Sequence, residues 1–235
     1  MKISTSIKYR LFDYRKAVII FWGIVFMILA ATAAIGRGSA EIRGMEMATA
    51  IFMFVSGLNS FKPEFNFFIA NGVSRRTQFA SFAAAAGIVS LAMVAVDMVF
   101  RLIFTNFMPY MSLFVQIYYE KSPVSYIESP LSALLWPLLL YVMLTMLGYM
   151  ISLIYYRSSA MIKLAVSIAP PVLLFFLFRY IDPAMSGGIT HLIGSALGLY
   201  PGQSPYSAIA TFLCCALLFA AAAYLLMRRA EIKKQ

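Results

Sequence analysis

The chain is poor in charged residues and in the side chains that build catalytic or metal sites. Of its 235 residues only 12% are charged, one is histidine, and two are cysteine. Soluble domains carry about a quarter charged residues, so this composition excludes an ordinary soluble domain. A single histidine, His191, cannot supply the paired ligands of a zinc site, and no metal site is predicted. No G-x-x-x-x-G-K-[ST] motif occurs, which excludes ATP hydrolysis by a P-loop in this chain.

Long apolar runs dominate what is present. Hydrophobic residues make up 62% of the sequence, and an α-helix needs about 20 apolar residues to cross a bilayer. We therefore predict an all-α, polytopic membrane protein that forms a single transmembrane domain over residues 1–235. Six spans are expected near residues 17–36, 45–61, 78–104, 131–156, 161–179 and 206–227, the second being marginal in length. Residues 1–16 are expected to form either an amphipathic helix in the lipid interface or a plain cytoplasmic extension of the first span, and short outer helices are expected between the fifth and sixth spans.

The distribution of positive charge predicts the orientation of these spans. The chain has 19 Lys and Arg against 9 Asp and Glu. With the N-terminus inside, all basic residues fall in inner segments except Arg37, Arg43, Arg101, Lys121 and Arg179. Cytoplasmic loops of membrane proteins are enriched in Lys and Arg, so both termini are expected in the cytoplasm. Topology thus accounts for the basicity, and no nucleic-acid partner is predicted.

Residues 61–78, FKPEFNFFIANGVSRRTQ, form a polar and aromatic insertion between two apolar runs. Phe61, Phe65 and Phe68 recur at helical spacing, which indicates a short helix with one apolar face. Asn71-Gly72 is expected to end that helix, because glycine tolerates positive φ. Asn59 or Ser60 could cap the first helix, and Ser74 could cap a second one that starts at Arg75. From these residues alone, an interfacial hairpin with membrane-anchoring arginines is as good an interpretation as a docking element.

Two pairs of polar residues lie elsewhere. Asp97 and Arg101 are one helical turn apart near the outer end of the third span, where we expect a structural, self-neutralising ion pair. His191 and Ser195 are also one turn apart, and they leave open a second hypothesis, an intramembrane enzyme that uses this pair. A third hypothesis is a scaffold or immunity protein that binds peptide at the membrane without transporting it.

The order of elements and the N-G-V-S-R-R sequence at residues 71–76 resemble the permease subunits of ABC-2 type ATP-driven exporters. The resemblance implies that the segment at 61–78 is a coupling helix for a separate ATPase, which binds the ATP and Mg²⁺, and that the amphipathic start is an elbow helix. It assigns the coupling role to Glu64, Phe65, Phe68, Asn71, Gly72, Arg75 and Arg76.

Within that family the chain is most similar to small permeases of bacterial exporters for amphipathic peptides of the phenol-soluble modulin type. The resemblance implies a transport subunit of the bacterial plasma membrane with no enzymatic activity or cofactor of its own. It implies four partners: the separate ATPase, a second permease that is identical or a close paralogue, the lipid bilayer, and a hydrophobic or amphipathic peptide as cargo.

Overall fold

A computed structural model describes residues 3–36, 41–118, 130–200 and 204–228. The helices are α1 (Ile3–Gly36), α2 (Glu46–Asn59), α3 (Phe61–Ala70), α4 (Arg75–Phe104), α5 (Leu113–Tyr118), α6 (Pro130–Arg157), α7 (Ala160–Phe176), α8 (Asp182–Ala184), α9 (Gly188–Ala196) and α10 (Tyr206–Arg228). A π-helical segment, Leu177–Ile181, continues α7. The strands β1 (Ile42–Arg43) and β2 (Tyr110–Met111) form one parallel pair. The described chain is therefore all-α apart from this pair.

Among the described residues, five helices are long and apolar enough to cross a membrane. They are α1, α4, α6, α10, and α7 with its continuation to Ala184. This confirms a multi-pass, helical membrane protein. The predicted second span corresponds to α2, which has 14 residues and a length of about 21 Å. An apolar helix must cover about 30 Å of hydrocarbon to cross a membrane. α2 is shorter than this, whereas the other five helices are long enough.

The first helix differs from the expectation of a separate amphipathic helix before the first span. α1 is continuous over 34 residues, about 51 Å at the rise of an α-helix. The sequence contains neither glycine nor proline before Gly23, so nothing interrupts the hydrogen-bond ladder between the basic start and the apolar run. The two chain ends, residues 1–2 and 229–235, lie outside the described residues.

Helix α6 is the centre of the bundle. It packs along α2 on one side and α10 on another, and it also contacts α4, which in turn packs on α1. The buried aromatic residues Tyr141 and Tyr149 belong to α6, and the ring of Phe82 on α4 stacks on Tyr149 with centroids 3.7 Å apart. Ala85 and Ala86 are also buried, as expected for the small residues at the start of the third predicted span.

Two glycines bring the backbones of α2 and α6 into direct contact. A Cβ atom added to Gly57 would lie 2.3 Å from the carbonyl oxygen of Thr145, and one added to Gly148 would lie 2.3 Å from the carbonyl oxygen of Phe54. No side chain fits at either position. Close helix packing in lipid depends on such small residues, and here they anchor the short helix α2 against the central helix.

Side-chain hydrogen bonds mark two opposite ends of the bundle. At one end, which we call the α3 end, Arg75 donates to the carbonyl oxygen of Arg228 at 2.6 Å and Arg157 donates to that of Leu226 at 3.4 Å. The starts of α3 and α4 therefore meet the ends of α6 and α10. At the other end, the α5 end, the hydroxyl of Tyr118 donates to the carbonyl oxygen of Leu197 at 2.7 Å.

Candidate functional site

The predicted coupling segment forms a tight helix–turn–helix. α3 ends at Ala70, Gly72 has φ +68°, and α4 begins at Arg75. The Ser74 hydroxyl accepts a hydrogen bond from the Thr77 N–H at 3.2 Å and caps α4. These features confirm the boundaries and the cap predicted from the sequence. The predicted cap at Ser60 is wrong, because Ser60 has helical φ and ψ and its hydroxyl donates to the carbonyl oxygen of Ser56.

A buried arginine on α1 contacts both α3 and α4 and connects them. The guanidinium of Arg10 forms an ion pair with the carboxylate of Glu64, and the two side chains are only 2% and 5% exposed. Arg10 also donates through Nε to Ser81 Oγ at 3.1 Å and through Nη2 to the carbonyl oxygen of Gln78 at 3.3 Å. Its guanidinium lies 4.7 Å from the ring centroid of Phe68. We call this group of contacts the Arg10 clamp.

Aromatic rings extend the clamp on both sides. The ring of Tyr9 on α1 stacks on Phe67 with centroids 4.6 Å apart. On the far side of α3, Phe61 and Phe65 pack against Tyr156 at centroid distances of 5.2 and 5.5 Å. The apolar face of α3 is thus enclosed between α1 and α6, and α3 is fixed to the bundle along its length.

The structure divides the predicted coupling residues into two groups. Glu64, Phe65 and Phe68 are buried inside the chain, where Glu64 belongs to the clamp. Asn71, Gly72 and Arg76 are exposed, and Arg75 is half-buried with its guanidinium on the last carbonyls of α10. The coupling role of all seven stays a prediction. Of the two groups, the exposed one is accessible to another protein, and the buried one sets the position of that surface.

The exposed side of the hairpin forms a continuous edge. It consists of Asn66, Phe67, Ala70, Asn71, Gly72 and Arg76, which we call the α3 edge. Phe67 is 39% exposed although it is a large apolar residue. A rigidly mounted edge with one aromatic ring, one amide pair and one guanidinium can bind another protein through a small, preorganised patch.

A second polar cluster lies inside the bundle near the α5 end. Asp97 on α4 is 6% exposed. Its Oδ1 accepts from Thr49 Oγ1 of α2 at 3.0 Å, and its Oδ2 accepts from the Tyr141 hydroxyl of α6 at 2.6 Å. One carboxylate therefore connects three helices. The predicted ion pair of Asp97 with Arg101 stays a prediction, since the hydrogen bonds seen at Asp97 come from neutral hydroxyls.

A small cavity adjoins this cluster. Its volume of about 30 Å³ is enough for a water molecule. It is lined by Glu46, Asp97, Arg101, Ser112, Trp136 and Pro137 among others. The carboxylate of Glu46 accepts the N–H of Leu113 at 2.9 Å and so holds the start of α5 over the cluster. The arrangement ties the α5 end together.

Replacing Tyr141 with phenylalanine is expected to lower the free energy of unfolding by about 1–3 kcal/mol, because the buried Asp97 oxygen loses its donor. Unfolding in mixed micelles, followed by tryptophan fluorescence, measures this change. Tyr180→Phe is the matched control, since Tyr180 is 59% exposed and its loss of a hydroxyl should change the free energy by less than about 0.5 kcal/mol. Equal effects of the two substitutions would contradict a structural role for the Asp97 cluster.

The pair His191 and Ser195 is not arranged as a nucleophile and its base. The Ser195 hydroxyl donates to the carbonyl oxygen of Leu192 at 2.9 Å, and the ring of His191 stacks on Tyr200 with centroids 4.7 Å apart. Both residues lie on the short helix α9. Among the described residues no group of three His, Cys, Asp or Glu side chains could hold a metal ion.

Sequence reasoning missed the partner of Glu64. Arg10 looked like one of several basic residues at the start of the chain, and nothing in its spacing distinguishes it from Lys8 or Arg15. Only the packing of α1 on α4 shows that Arg10 is the buried one.

No family model, curated protein or solved structure matches this chain, so the function is argued from the site itself.

Proposed function

We propose that the chain is the membrane permease subunit of an ATP-driven exporter of the ABC-2 type. In this proposal a separate ATPase docks on the α3 edge, and its movement during ATP binding and hydrolysis is passed through α3 into the bundle. Hydrophobic or amphipathic peptides are the proposed cargo, and the bacterial plasma membrane is the proposed location. A second permease subunit completes the transporter.

The observation on which the proposal rests is the way α3 is held in the bundle by its contacts. A short helix between two apolar elements could simply lie in the lipid interface, as the hairpin interpretation holds. An interfacial hairpin needs no buried ion pair, and desolvating two charges costs several kcal/mol unless the geometry is good. Arg10 and Glu64 are buried as an ion pair in spite of that desolvation cost, and the contacts of Arg10 join α1, α3 and α4 into one unit. Such a unit moves as a body when its exposed edge is pushed, which is what a docking element for a motor requires.

The helix order supports the same proposal. α2 runs from the strand pair at the α5 end to α3 at the opposite end. If it crosses the membrane as a short sixth span, the start of α1 and the end of α10 lie on the side of α3, in agreement with the distribution of Lys and Arg. The position of α2 against α6, fixed by Gly57 and Gly148, would hold a helix of 14 residues inside the bundle on one side, while Met47, Ile51 and Val55 on its other face are exposed.

Copurification from native membranes tests the proposal. The affinity-tagged chain is extracted in mild detergent, and its partners are identified by mass spectrometry. We expect a P-loop ATPase to copurify with the unchanged chain and to fall by at least about tenfold with Arg76→Glu, because a reversed charge at a docking edge costs more than about 1.4 kcal/mol. Arg76 is the better choice than Arg75, whose guanidinium also caps α10.

Lys163→Glu is the matched control. Lys163 is also exposed and lies in the first turn of α7, so the substitution makes the same change of charge at a residue that does not belong to the α3 edge. It should leave copurification unchanged. If both variants lose the ATPase equally, the overall positive charge of the chain explains the binding, and a specific contact at the α3 edge does not explain it. If no ATPase copurifies with any form, the permease proposal fails and the peptide-binding scaffold becomes the better hypothesis.

A further inference from the structure

Two arginines from different helices converge on the end of α10. Arg75, the first residue of α4, donates through Nη1 to the carbonyl oxygens of Met227 and Arg228 at 3.4 and 2.6 Å. Arg157, the last residue of α6, donates through Nη1 to the carbonyl oxygen of Leu226 at 3.4 Å. Because the three carbonyls follow one another in a single helical turn, the two guanidiniums lie within about 10 Å of each other. We call the side chains of Arg75, Arg157 and Arg228 the α10 cation cluster.

The cluster carries more positive charge than its surroundings neutralise. The end of a helix supplies about half a negative charge, against three guanidiniums. The carboxylates described at the α3 end are Glu64, which pairs with Arg10, and Asp13, which forms no ion pair with a described residue. Arg75 and Arg157 use only Nη1, so their Nε and Nη2 groups have no acceptor within the described part of the chain. The cluster therefore has both the charge and the donors to bind an anion.

The cluster lies at the depth where lipid headgroups meet a membrane protein. α10 has 23 residues, about 35 Å, and the hydrocarbon of a bilayer is about 30 Å thick, so the last turn of α10 reaches the interface. Leu218, Ala221 and Leu225 are exposed and lead along α10 to Arg228 at spacings of three and four residues, which places all four on one face of the helix. We call the three apolar residues the α10 stripe. The stripe thus ends at the cluster.

Packing of α4 on α10 holds the cluster in place. The rings of Phe79 and Tyr224 lie with centroids 5.4 Å apart, one helical turn from Arg75 and from Arg228 respectively. Arg75 and Arg157 are in addition bonded to backbone carbonyls, which do not move with a side-chain rotamer. Donors that are already positioned lose less conformational entropy when a ligand binds.

We infer that the α10 cation cluster binds the headgroup of one anionic phospholipid, whose acyl chains lie on the α10 stripe. Guanidinium N–H groups match the oxygens of a phosphate, and an anionic headgroup supplies the negative charge that the cluster lacks. A water-soluble anion would match the charge and leave the adjoining apolar stripe unused, so an amphiphile fits both parts. The lipid site goes beyond the proposed function and needs no ATPase. It gives Arg75 a ligand different from that proposed for Arg76 on the α3 edge.

A lipid titration of the purified full chain in uncharged detergent tests the inference. Bound lipid is counted by native mass spectrometry, with phosphatidylglycerol and phosphatidylcholine of the same acyl chains. We expect one phosphatidylglycerol to bind at least about fivefold more tightly than phosphatidylcholine. Arg157→Gln should weaken the binding of phosphatidylglycerol about fivefold, the factor that one basic residue contributes near a membrane surface. Glycerol phosphate, which has the headgroup charge without acyl chains, should not displace the lipid.

Arg15→Gln is the matched control. Arg15 is an exposed arginine on α1, which packs on α4, so the substitution removes the same charge outside the cluster. It should change the affinity for phosphatidylglycerol by less than about twofold. The unfolding curve of Arg157→Gln, recorded in the same detergent without phosphatidylglycerol, should match that of the unchanged chain, because Arg157 is exposed. This measurement separates a lost lipid site from lost folding.

Three outcomes would overturn the inference. Equal binding of the two lipids would mean that only the apolar surface is used, and equal losses with Arg157→Gln and Arg15→Gln would mean diffuse attraction by net charge. Displacement by glycerol phosphate would mean that the ligand is a free phosphate in water. These outcomes are separate from those of the copurification experiment. A chain that binds the ATPase without a preference for phosphatidylglycerol would refute the lipid site alone, and the reverse result would refute the permease proposal alone.

Discussion

Replacing Arg10 with methionine is expected to lower the free energy of unfolding by about 3–5 kcal/mol, because Glu64 is then left buried without its cation. Both side chains are at most 5% exposed, so water cannot take over the role of the guanidinium. The change is measured by equilibrium unfolding in mixed micelles, with the fluorescence of Trp22 on α1 as the probe of this part of the bundle.

A double substitution separates the ion pair from the space that it fills. Arg10→Met combined with Glu64→Met removes both charges, and buried pairs replaced by apolar residues of similar volume are often neutral in stability. Ser81 Oγ still donates to the carbonyl oxygen of Gln78 at 2.9 Å, so neither group loses its last partner. We expect the double variant to recover most of the lost stability. Arg15→Met, at an exposed arginine of the same helix, is the control and should have little effect.

The opposite outcome would be informative for the proposed function. If the single variant is as stable as the unchanged chain, Arg10 does not hold α3, and the clamp cannot pass movement from the α3 edge into α1 and α4. If the single variant is unstable and the double variant recovers, the clamp is a mechanical connection that does not depend on its charges. Transport assays on the recovered double variant would then ask whether the ion pair is needed for coupling.

Replacing Gly148 with alanine is expected to lower the free energy of unfolding by about 3 kcal/mol, at the upper end of the range for overpacked cores. The added Cβ would lie 2.3 Å from the carbonyl oxygen of Phe54 and 2.9 Å from the amide nitrogen of Leu58. Both obstacles are backbone atoms of α2, so they cannot rotate away as a side chain would. α2 must move off α6, which separates the Thr49 and Tyr141 hydroxyls that Asp97 binds together. Unfolding in mixed micelles measures the loss.

Gly87→Ala is the matched control for this prediction. Gly87 is also inside a long apolar helix, and an added Cβ there would meet no atom within 4 Å. Alanine has the higher helix propensity, so the control should be neutral or slightly stabilising. If Gly148→Ala were equally neutral, α2 would be loosely held against α6, and the argument that a 14-residue helix crosses inside the bundle would lose its support.

Sequence reasoning predicted the local features of the fold well. The helix boundaries near residue 75, the turn at Asn71-Gly72 and the Ser74 cap depend on neighbouring residues, and hydropathy locates the long apolar helices. It left open whether the basic start of the chain is a separate interfacial helix or an extension of the first span, because the change from a basic to an apolar composition at Ala17 looks like an element boundary. A change in composition does not interrupt a backbone hydrogen-bond ladder, and α1 continues through it.

The features that position the candidate site depend on contacts between distant residues. Arg10 meets Glu64 and Ser81 across the packing of three helices, and Gly57 meets Thr145 across two. The period of Phe61, Phe65 and Phe68 correctly gave the apolar face of α3, but it could not say whether that face meets a partner or the chain's own core. Packing decides that question, and here it places the face inside.

The bonds from Arg75 to the end of α10 have a practical consequence for fusion proteins. Arg228, the last described residue, lies beside the α3–α4 turn, and the start of α1 lies there too, since Tyr9 stacks on Phe67. A bulky reporter inserted directly after Arg228 or directly before α1 would therefore crowd the α3 edge and block the proposed contact with the ATPase. Tags inserted between α1 and β1, at the opposite end of the bundle, keep that surface accessible.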